Sequence, residues 1–185
     1  MLDLKKGNKK GALELSIGTV VILVLAMSML ILGLILVKNI LGGGIDVADM
    51  TIDQIKKQVS EMFGDDDRLV VYPDTRNMEI DIGEQNGFLI GIKNLIIGQT
   101  GATDFSYEIS VADVGNCGVD ESKVDSWIVL GKSESLEIAP GQIGSGKILL
   151  NIPEGSPLCS FRYRINVRQS NEPYASDMMD ITIAS

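Results

Sequence analysis

An uninterrupted apolar segment near the start of the chain places the strongest constraint on its fold. Residues 15–37 contain no charged side chain. As an α-helix rising about 1.5 Å per residue, this segment is about 35 Å long, enough to cross a hydrocarbon core about 30 Å thick. Because the helix is apolar on every side, it must be surrounded either by lipid or by other helices.

Charge is distributed very differently on the two sides of this segment. The residues before it include Lys5, Lys6, Lys9 and Lys10. After Lys38 there are 11 Lys and Arg residues against 23 Asp and Glu residues, which leaves a net charge of −12. The lysines favour a cytoplasmic amino terminus, so the acidic remainder is predicted to lie outside the membrane. Its acidity argues against nucleic acid as a partner, since binding to phosphates requires a basic surface.

The composition also limits the chemistry open to this chain. It contains no histidine, so it lacks the commonest general base and the commonest metal ligand. Its two cysteines, Cys117 and Cys159, lie on the predicted outer side, where disulfides persist. We expect them to form a structural disulfide; the alternative is two separate buried thiols. They are too far apart in sequence to form a C-x-x-C redox motif.

Three interpretations apply to the amino-terminal segment. An ordinary secretory signal has an apolar stretch of about 7–15 residues followed by a small-residue cleavage site, and this sequence has neither. An uncleaved single-pass anchor fits the length of the segment and the lysine asymmetry. A third interpretation depends on Lys9-Lys10-Gly11, which directly precedes Ala12-Leu13-Glu14 and the apolar run.

This arrangement resembles the class III signal peptide of type IV pilins and, more closely, that of archaeal pilins and archaellins. The resemblance implies that a membrane prepilin peptidase cuts on the cytoplasmic side, between Gly11 and Ala12. The apolar helix is then kept and packs with copies of itself in the core of a filament. Bacterial type IV pilins usually carry glutamate at the fifth mature position. This chain has Ser16 there and Glu14 at the third.

Glu14 has two possible roles at the margin of the apolar helix. In an anchor, its carboxylate lies at headgroup level and complements the dipole of the helix amino terminus. In a pilin-like subunit, it pairs after cleavage with the new amino terminus of a neighbouring copy, which offsets the cost of its burial in the filament.

The remaining sequence is divided into a linker, a short helix and a β-domain. Residues 42–48 are predicted to be a glycine-rich linker, and residues 49–64 an amphipathic helix. Thr51 and Gln54 have the spacing of a capping box, and Gly64 fits the C′ position. The apolar positions that share one stripe of this helix are Ile52, Ile55, Val59 and Met62, which favours packing against the following sheet.

Residues 65–185 are predicted to form an extracellular β-sandwich. Short apolar stretches separated by turn residues indicate strands at 68–72, 78–82, 88–97, 105–112, 126–130, 136–139, 147–152, 161–168 and 178–183. The segments 105–112 and 161–168 alternate clearly between apolar and polar positions. Strands at this spacing favour an antiparallel immunoglobulin-like sandwich, so the predicted class is α+β with a long amino-terminal helix.

Three motifs are candidates for binding sites. Residues 141–147 have phosphate-loop spacing, but Ile148 replaces the metal-binding hydroxyl and a strand follows, so we predict a hairpin-type loop. Asp65, Asp66 and Asp67 are a weak candidate for calcium; a solvated acidic loop is the simpler interpretation. The arginines of one strand face, Arg162, Arg164 and Arg168, are either solvated or contact an acidic patch on an adjacent subunit.

These observations favour a structural role rather than catalysis. No catalytic set and no cofactor site is recognised, so we predict neither an enzyme nor a cofactor. The favoured function is a subunit of an archaeal type IV pilus-like surface filament used for adhesion, surface contact or motility. Such a subunit sits in the membrane with its amino terminus in the cytoplasm until it self-assembles. The alternative is a membrane-anchored extracellular β-sandwich that binds a partner and does not polymerise.

Overall fold

The computed structural model describes residues 17–41, 47–98 and 100–185, and, in the first helix, the side chains of residues 18–36. The chain divides into two compact units, Met1–Gly43 and Gly44–Ser185. The predicted leader 1–11, the Gly11–Ala12 bond, Glu14 and the glycines at 42–44 lie outside the described residues.

The first unit contains one long helix, α1 (Ile17–Leu41). Its aliphatic sequence has no proline between these bounds, so no backbone N–H is missing from the helical ladder. The hydroxyl of Ser28 donates to the carbonyl oxygen of Val24 at 2.8 Å. This internal bond satisfies the hydroxyl without a partner outside the helix.

The second unit is a β-sandwich with short helical segments. Its helical segments are the 3₁₀ helix η1 (Val47–Asp49), α2 (Ile52–Met62) and α3 (Glu121–Asp125). Its strands are β1 (Leu69–Tyr72), β2 (Asn77–Asp81), β3 (Gln85–Lys93), β4 (Thr103–Asp113), β5 (Ile128–Leu130), β6 (Ser133–Ile138), β7 (Ile143–Asn151), β8 (Ser160–Gln169) and β9 (Glu172–Ala184). The architecture is therefore an amino-terminal apolar helix followed by a mostly-β sandwich.

Two sheets enclose the main core. Sheet A has the strand order β1-β3-β7-β5, and sheet B has the order β2-β9-β8-β4-β6. Side chains of a strand alternate between its two faces, and this alternation supplies the core residues. Phe105, Tyr107 and Ile109 on β4 point into the main core, as do Phe161 and Tyr163 on β8. Strand β3 differs because both of its faces are buried, with Phe88, Ile90 and Ile92 in the main core and Leu89 in a second cluster.

One strand pair corrects the expectation of a purely antiparallel sandwich. Strand β2 pairs with β9 in parallel, with Asn77 opposite Asp180 and Asp81 opposite Ala184. After β1, the chain crosses at residues 73–76 from the edge of sheet A to the edge of sheet B. There β2 lies beside β9 and runs parallel to it.

The predicted hairpin loop at residues 141–147 is also corrected, because β7 begins at Ile143. A side chain at Gly144 would meet Ile138 Cδ1 at 2.6 Å, and one at Gly146 would meet the Tyr107 hydroxyl at 2.8 Å. The glycines therefore make room for side chains that pack onto the strand, which is a common reason for glycine inside a sheet.

The helix α2 follows its capping signal but ends differently from the prediction. The Thr51 side chain accepts from the backbone N–H of Gln54, whose side chain accepts from the N–H of Thr51. At the other end Phe63 is extended, with ψ 122°, and the N–H of Gly64 donates to Asp67 Oδ2 at 2.9 Å. Gly64 is thus not a left-handed cap, because its φ is not positive.

The apolar stripe of α2 is narrower than predicted. Ile55 and Val59 are buried and Met62 packs against the same cluster, but Ile52 is 70% exposed. At about 100° per residue, Ile52 lies about 50° away from the centre of the stripe formed by the other three. Ile52 therefore contributes little to the contact with sheet A.

Candidate functional site

The helix α1 presents the largest apolar surface of the described chain. Its span Gly18–Leu36 has a mean hydropathy of 2.9, and none of it is buried within the structure. The large side chains around its circumference are all about half exposed or more, from Val20 at 47% to Met29 at 75%. By length and composition this helix can cross a membrane. Lipid or other helices must cover this surface.

Gly33 is one of the small residues that interrupt the bulk of that surface, with Gly18, Ala26 and Ser28. Nothing lies within 4 Å of where a side chain would stand at Gly33, so a local depression opens on the helix. Small residues of this kind let neighbouring helices approach closely in membranes and in bundles. The surface is therefore suited to helix contacts as well as to lipid.

The segment Val47–Met62, here called the docked segment, covers the outer face of sheet A. It corrects the prediction that the glycine-rich linker continues to residue 48, because Val47 is only 1% exposed. The backbone N–H of Val47 donates to Asn86 Oδ1 at 3.2 Å. The buried side chain and this hydrogen bond fix the chain to the sandwich from residue 47 onward.

Two lysines of sheet A hold carbonyl groups near the start of the docked segment and just after its end. Lys147 Nζ donates to the carbonyl oxygen of Ala48 at 2.6 Å and to that of Met50 at 3.5 Å. Lys93 Nζ donates to the carbonyl oxygens of Gly64 and Asp65 at 3.2 and 3.3 Å. These charge-assisted bonds bind the segment to β7 and β3, the two inner strands of the sheet.

Apolar packing between those ends completes the attachment. Ile55 and Val59 of α2 bury against Val70, Leu89 and Leu149 of sheet A. Gly91 opens the space that Val59 occupies, since a side chain there would stand 2.2 Å from Val59 Cγ1. The docked segment and sheet A therefore share a second hydrophobic cluster, distinct from the main core.

The two cysteines form a disulfide, as expected from their number and predicted compartment. Cys117 and Cys159 are 4.8 Å apart at their Cα atoms and 42 residues apart in sequence. The bond ties the loop after β4 to the residue before β8. Beside it, the N–H of Ser160 donates to Asn116 Oδ1 at 2.8 Å.

The short helix α3, which sequence patterns did not predict, closes the same end of the sandwich. Tyr163 donates its hydroxyl to the carbonyl oxygen of Val124 at 2.7 Å. Trp127 follows α3 and is buried against Phe161, with ring centroids 5.1 Å apart. Burial, followed by the charge of Asp125, raises the pKa of Tyr163, so this phenol remains a neutral donor.

The structure does not bring the weak calcium candidates together. Within residues 17–41, 47–98 and 100–185, no group of three or more acidic, cysteine or histidine side chains converges as a metal site. Asp67 accepts the backbone N–H of Gly64 instead. The phosphate-loop motif likewise gives no site, since its lysine, Lys147, holds the docked segment and its glycines lie in β7.

The three arginines of β8 have different surroundings on the outer face of sheet B. Arg162 binds Asp180 with two hydrogen bonds, one of which joins a terminal nitrogen to Oδ2 at 2.9 Å. This hydrogen bonding, with the charge of Asp180, raises the pKa of Arg162. The side chains of Arg164 and Arg168 form no hydrogen bond or ion pair within the part of the chain that the structure describes.

A shallow groove of about 360 Å³ lies beside Arg168. It forms where the pairing of β8 with β9 shifts register between Val167 and Arg168. Its polar lining comes from Arg168, Asn166 and Ser176, with Pro173 on the side of β9. A register shift of this kind bends a strand locally and re-aims its side chains.

Comparisons with known proteins identify no family. No protein-family model and no curated protein matches this sequence. A PapD-like domain of human CEP192 is 15% identical, with 64% of this chain and 84% of that chain covered at a TM-score of 0.40. A CARDB domain from Pyrococcus furiosus, described in complex with di-metal ions, is 12% identical over 63% and 87%, also at 0.40.

A third solved structure is MyfA, the major subunit of Myf fimbriae from Yersinia enterocolitica. It is 8% identical, with 62% of this chain and 94% of that chain covered at a TM-score of 0.33. Similarity at this level concerns only the general arrangement of a small β-sandwich. It carries no inference about what this chain binds or assembles with.

Proposed function

We propose that this chain is a structural subunit of an archaeal type IV pilus-like surface filament. The observation that carries the proposal is the surface of α1, which is apolar and exposed around its whole circumference over Gly18–Leu36. A filament made of such helices covers this surface without lipid. The sequence Lys9-Lys10-Gly11 before Ala12 supports the same function, because it resembles a class III cleavage site.

In this proposal α1 has two successive roles, first as a membrane anchor and then as part of the filament core. It first holds the exported chain in the membrane, with the lysines on the cytoplasmic side. A prepilin peptidase then removes residues 1–11, and α1 leaves the lipid to pack with its copies. Glu14 pairs with the amino terminus that cleavage creates on a neighbouring copy, since an ion pair offsets the burial of its carboxylate.

The immunoglobulin-like sandwich forms the outer face of the filament. Its attachment supports a role in bearing load, because the chain that follows α1 is fixed to sheet A from Val47 onward. A pull on α1 reaches the sandwich through Lys147 and Lys93, on the two inner strands of the sheet. The Cys117–Cys159 disulfide suits a domain that works outside the cell.

One sequence feature favours a second candidate, a single-pass anchored sandwich that binds a partner and does not polymerise. The sequence Gly42-Gly43-Gly44 follows α1, and a run of glycines is the composition expected of a tether between an anchor and its head. Lipid alone then covers α1.

The proposal is tested by expressing the full chain with a prepilin peptidase and measuring the mature amino terminus by intact mass and terminal sequencing. A mature chain that starts at Ala12, in a preparation where electron microscopy shows filaments, supports the pilus function. A mature chain that retains Lys9-Lys10-Gly11 contradicts it and favours the anchor. Gly11→Val is expected to block the cut, whereas the matched variant Gly7→Val, four residues upstream, leaves it intact.

A further inference from the structure

Two arginines on the outer face of sheet B, Arg164 and Arg168, have no charged residue directly opposite them on the neighbouring strands. Arg164 stands between Ser110 on β4 and Met178 on β9, and Arg168 stands between Ser106 and Pro173. None of these neighbours carries a charge, so neither guanidinium has an acidic residue directly opposite. Their separation of four residues along β8 corresponds to about 13 Å. Arg162, in contrast, stands opposite Asp180 and binds it.

The groove beside Arg168 gathers several donors that have no acceptor. Arg168 is exposed, and the side chains of Asn166 and Ser176 that line the groove with it form no hydrogen bond among the described residues. A guanidinium offers a planar fork that matches a carboxylate with two parallel hydrogen bonds. The groove therefore has the donor set and the charge that recognise a carboxylate.

The carboxylate does not come from the same sheet. Three acidic residues are diagonal neighbours by register: Glu108 of both arginines, Asp104 of Arg168 and Asp180 of Arg164. Asp180 binds Arg162, and neither Glu108 nor Asp104 forms an ion pair with Arg164 or Arg168 within the described chain. The groove is thus open to a group from outside this copy.

The opposite end of the sandwich carries a matching charge. The groove lies where β8 ends, near the turn at Ser170 and Asn171, while the chain enters the sandwich beside Asn86. The loops at the entry end expose four acidic residues, here called the acidic end: Glu84, Asp120, Glu121 and Glu154. None of their carboxylates forms an ion pair among the described residues.

We propose that the groove at Arg168, with Arg164 beside it, binds a carboxylate of the acidic end of a second copy of this chain. The chain after Lys38 has a net charge of −12, so a second copy offers many carboxylates. The two unpaired arginines carry the opposite charge, which complements these carboxylates. A contact between two different surfaces is head-to-tail, and it continues from copy to copy as a helical filament when its rotation does not close a ring. This inference rests on the proposed filament function and names the contact between its outer domains.

Carbodiimide cross-linking of the full chain tests this contact, because the reagent joins a carboxylate to an amine that touches it. Arg168→Lys keeps the positive charge and introduces the amine. We expect mixtures of ¹⁴N- and ¹⁵N-labelled copies to give hybrid-mass peptides that join residue 168 to Glu84, Asp120, Glu121 or Glu154. The matched control is Arg162→Lys, which is expected to link within one copy to Asp180.

Several outcomes overturn the contact. The contact is overturned if residue 168 links only within its own copy, to Glu108 or Asp104. It is also overturned if residue 168 forms no link while the Arg162→Lys control reacts. Polygalacturonate that binds the wild type but not Arg168→Ala, without hybrid links, shows instead that the groove takes an acidic glycan. If filaments form but contain no hybrid links, this contact is overturned and the filament function is not. If hybrid links form but no filaments are seen, the filament function is overturned and the contact is not.

Charge reversal gives a second measurement. Arg168→Glu is expected to lower the pelletable fraction of the protein about tenfold through repulsion by the facing acidic end. Adding Glu154→Lys to the same chain is expected to restore part of it, with Trp127 fluorescence verifying that both variants fold. A pelletable fraction that is unchanged in the single variant contradicts the proposal.

Discussion

Replacing Gly91 with alanine is expected to loosen the docked segment while leaving the main core intact. The added methyl group would stand 2.2 Å from Val59 Cγ1, 2.7 Å from Phe63 Cε2 and 2.9 Å from Val70 Cγ2. Overpacking of this kind costs about 1–3 kcal/mol. The gain from restricting the unfolded chain does not enter, because residue 91 stays in β3 when α2 is released. We therefore expect a loss of about 1–3 kcal/mol in the free energy that holds α2 on sheet A.

A double-mutant cycle with Val59→Ala isolates the contact. Truncating Val59 alone removes two buried methyl groups and costs about 2 kcal/mol with its cavity. Because the methyl group added at position 91 then fills part of that cavity, the double variant is expected to be about 1 kcal/mol more stable than the sum of the single effects. The matched control is Gly101→Ala, where nothing lies within 4 Å and little change is expected.

Two probes on the detergent-solubilised full chain follow these effects. Hydrogen exchange of the α2 amides reports local release of the docked segment, and fluorescence of the single tryptophan, Trp127, reports unfolding of the main core. Exchange in α2 is expected to rise about tenfold in Gly91→Ala, the equivalent of about 1.4 kcal/mol. Exchange equal to that of the Gly101→Ala control, or strictly additive effects in the cycle, would refute the packing described for α2.

Three further predictions follow from other contacts. Lys147→Met removes the donor to two carbonyls of the docked segment, so exchange of the amides at 47–50 should rise by the equivalent of about 1.5–3 kcal/mol; unchanged exchange would show that the lysine does not hold the segment. Replacing Cys117 and Cys159 by alanine opens a 42-residue loop and should lower the free energy of unfolding by about 4 kcal/mol in denaturant titrations. A loss below about 1 kcal/mol would contradict a structural role. Because burial raises the pKa of Tyr107 and Tyr163 above the ordinary 10.0, the unfolded chain releases these protons first. These two groups should therefore leave the free energy of unfolding unchanged below pH 10 and lower it above pH 10, less steeply in Tyr163→Phe. A free energy of unfolding that rises above pH 10 would exclude this cause.

Sequence patterns predicted the elements that depend on local periodicity. The absence of charge in residues 15–37 predicted a long apolar helix, and the structure describes α1 from Ile17. Alternation at Phe105, Tyr107 and Ile109 predicted an inward face for β4 because side chains of a strand point to opposite sides. Each of the nine strands in the described residues overlaps a predicted stretch, although β7 and β9 begin four and six residues earlier than predicted.

Contacts between distant parts of the chain could not be predicted in this way. Val47 follows a glycine-rich stretch and shows no helical or strand period, yet Asn86 and Lys147 hold its segment from β3 and β7. Gly144 and Gly146 look like loop residues until Ile138 and Tyr107 are placed against them. These features follow from sheet topology, which the local pattern does not contain.

The candidate contact surface shows the same limit. Arg162, Arg164 and Arg168 share one face of β8 and are indistinguishable in sequence. Their partners are set by register: Asp180 stands opposite Arg162, and Met178 stands opposite Arg164. The pairing of β8 with β9 therefore distinguishes Arg162, which binds Asp180 in its own sheet, from the two arginines that we propose bind a second copy.

The central claim is that copies of α1, rather than lipid, finally surround α1. The most direct measurement is a helical reconstruction by electron microscopy of material sheared from cells that express the full chain and a prepilin peptidase. The account predicts filaments in which the side chains of α1 contact those of neighbouring copies in a core without lipid, and in which each chain begins at Ala12. Recovery of the protein solely as membrane-embedded single copies, with α1 in lipid and Gly11 still attached, would contradict it.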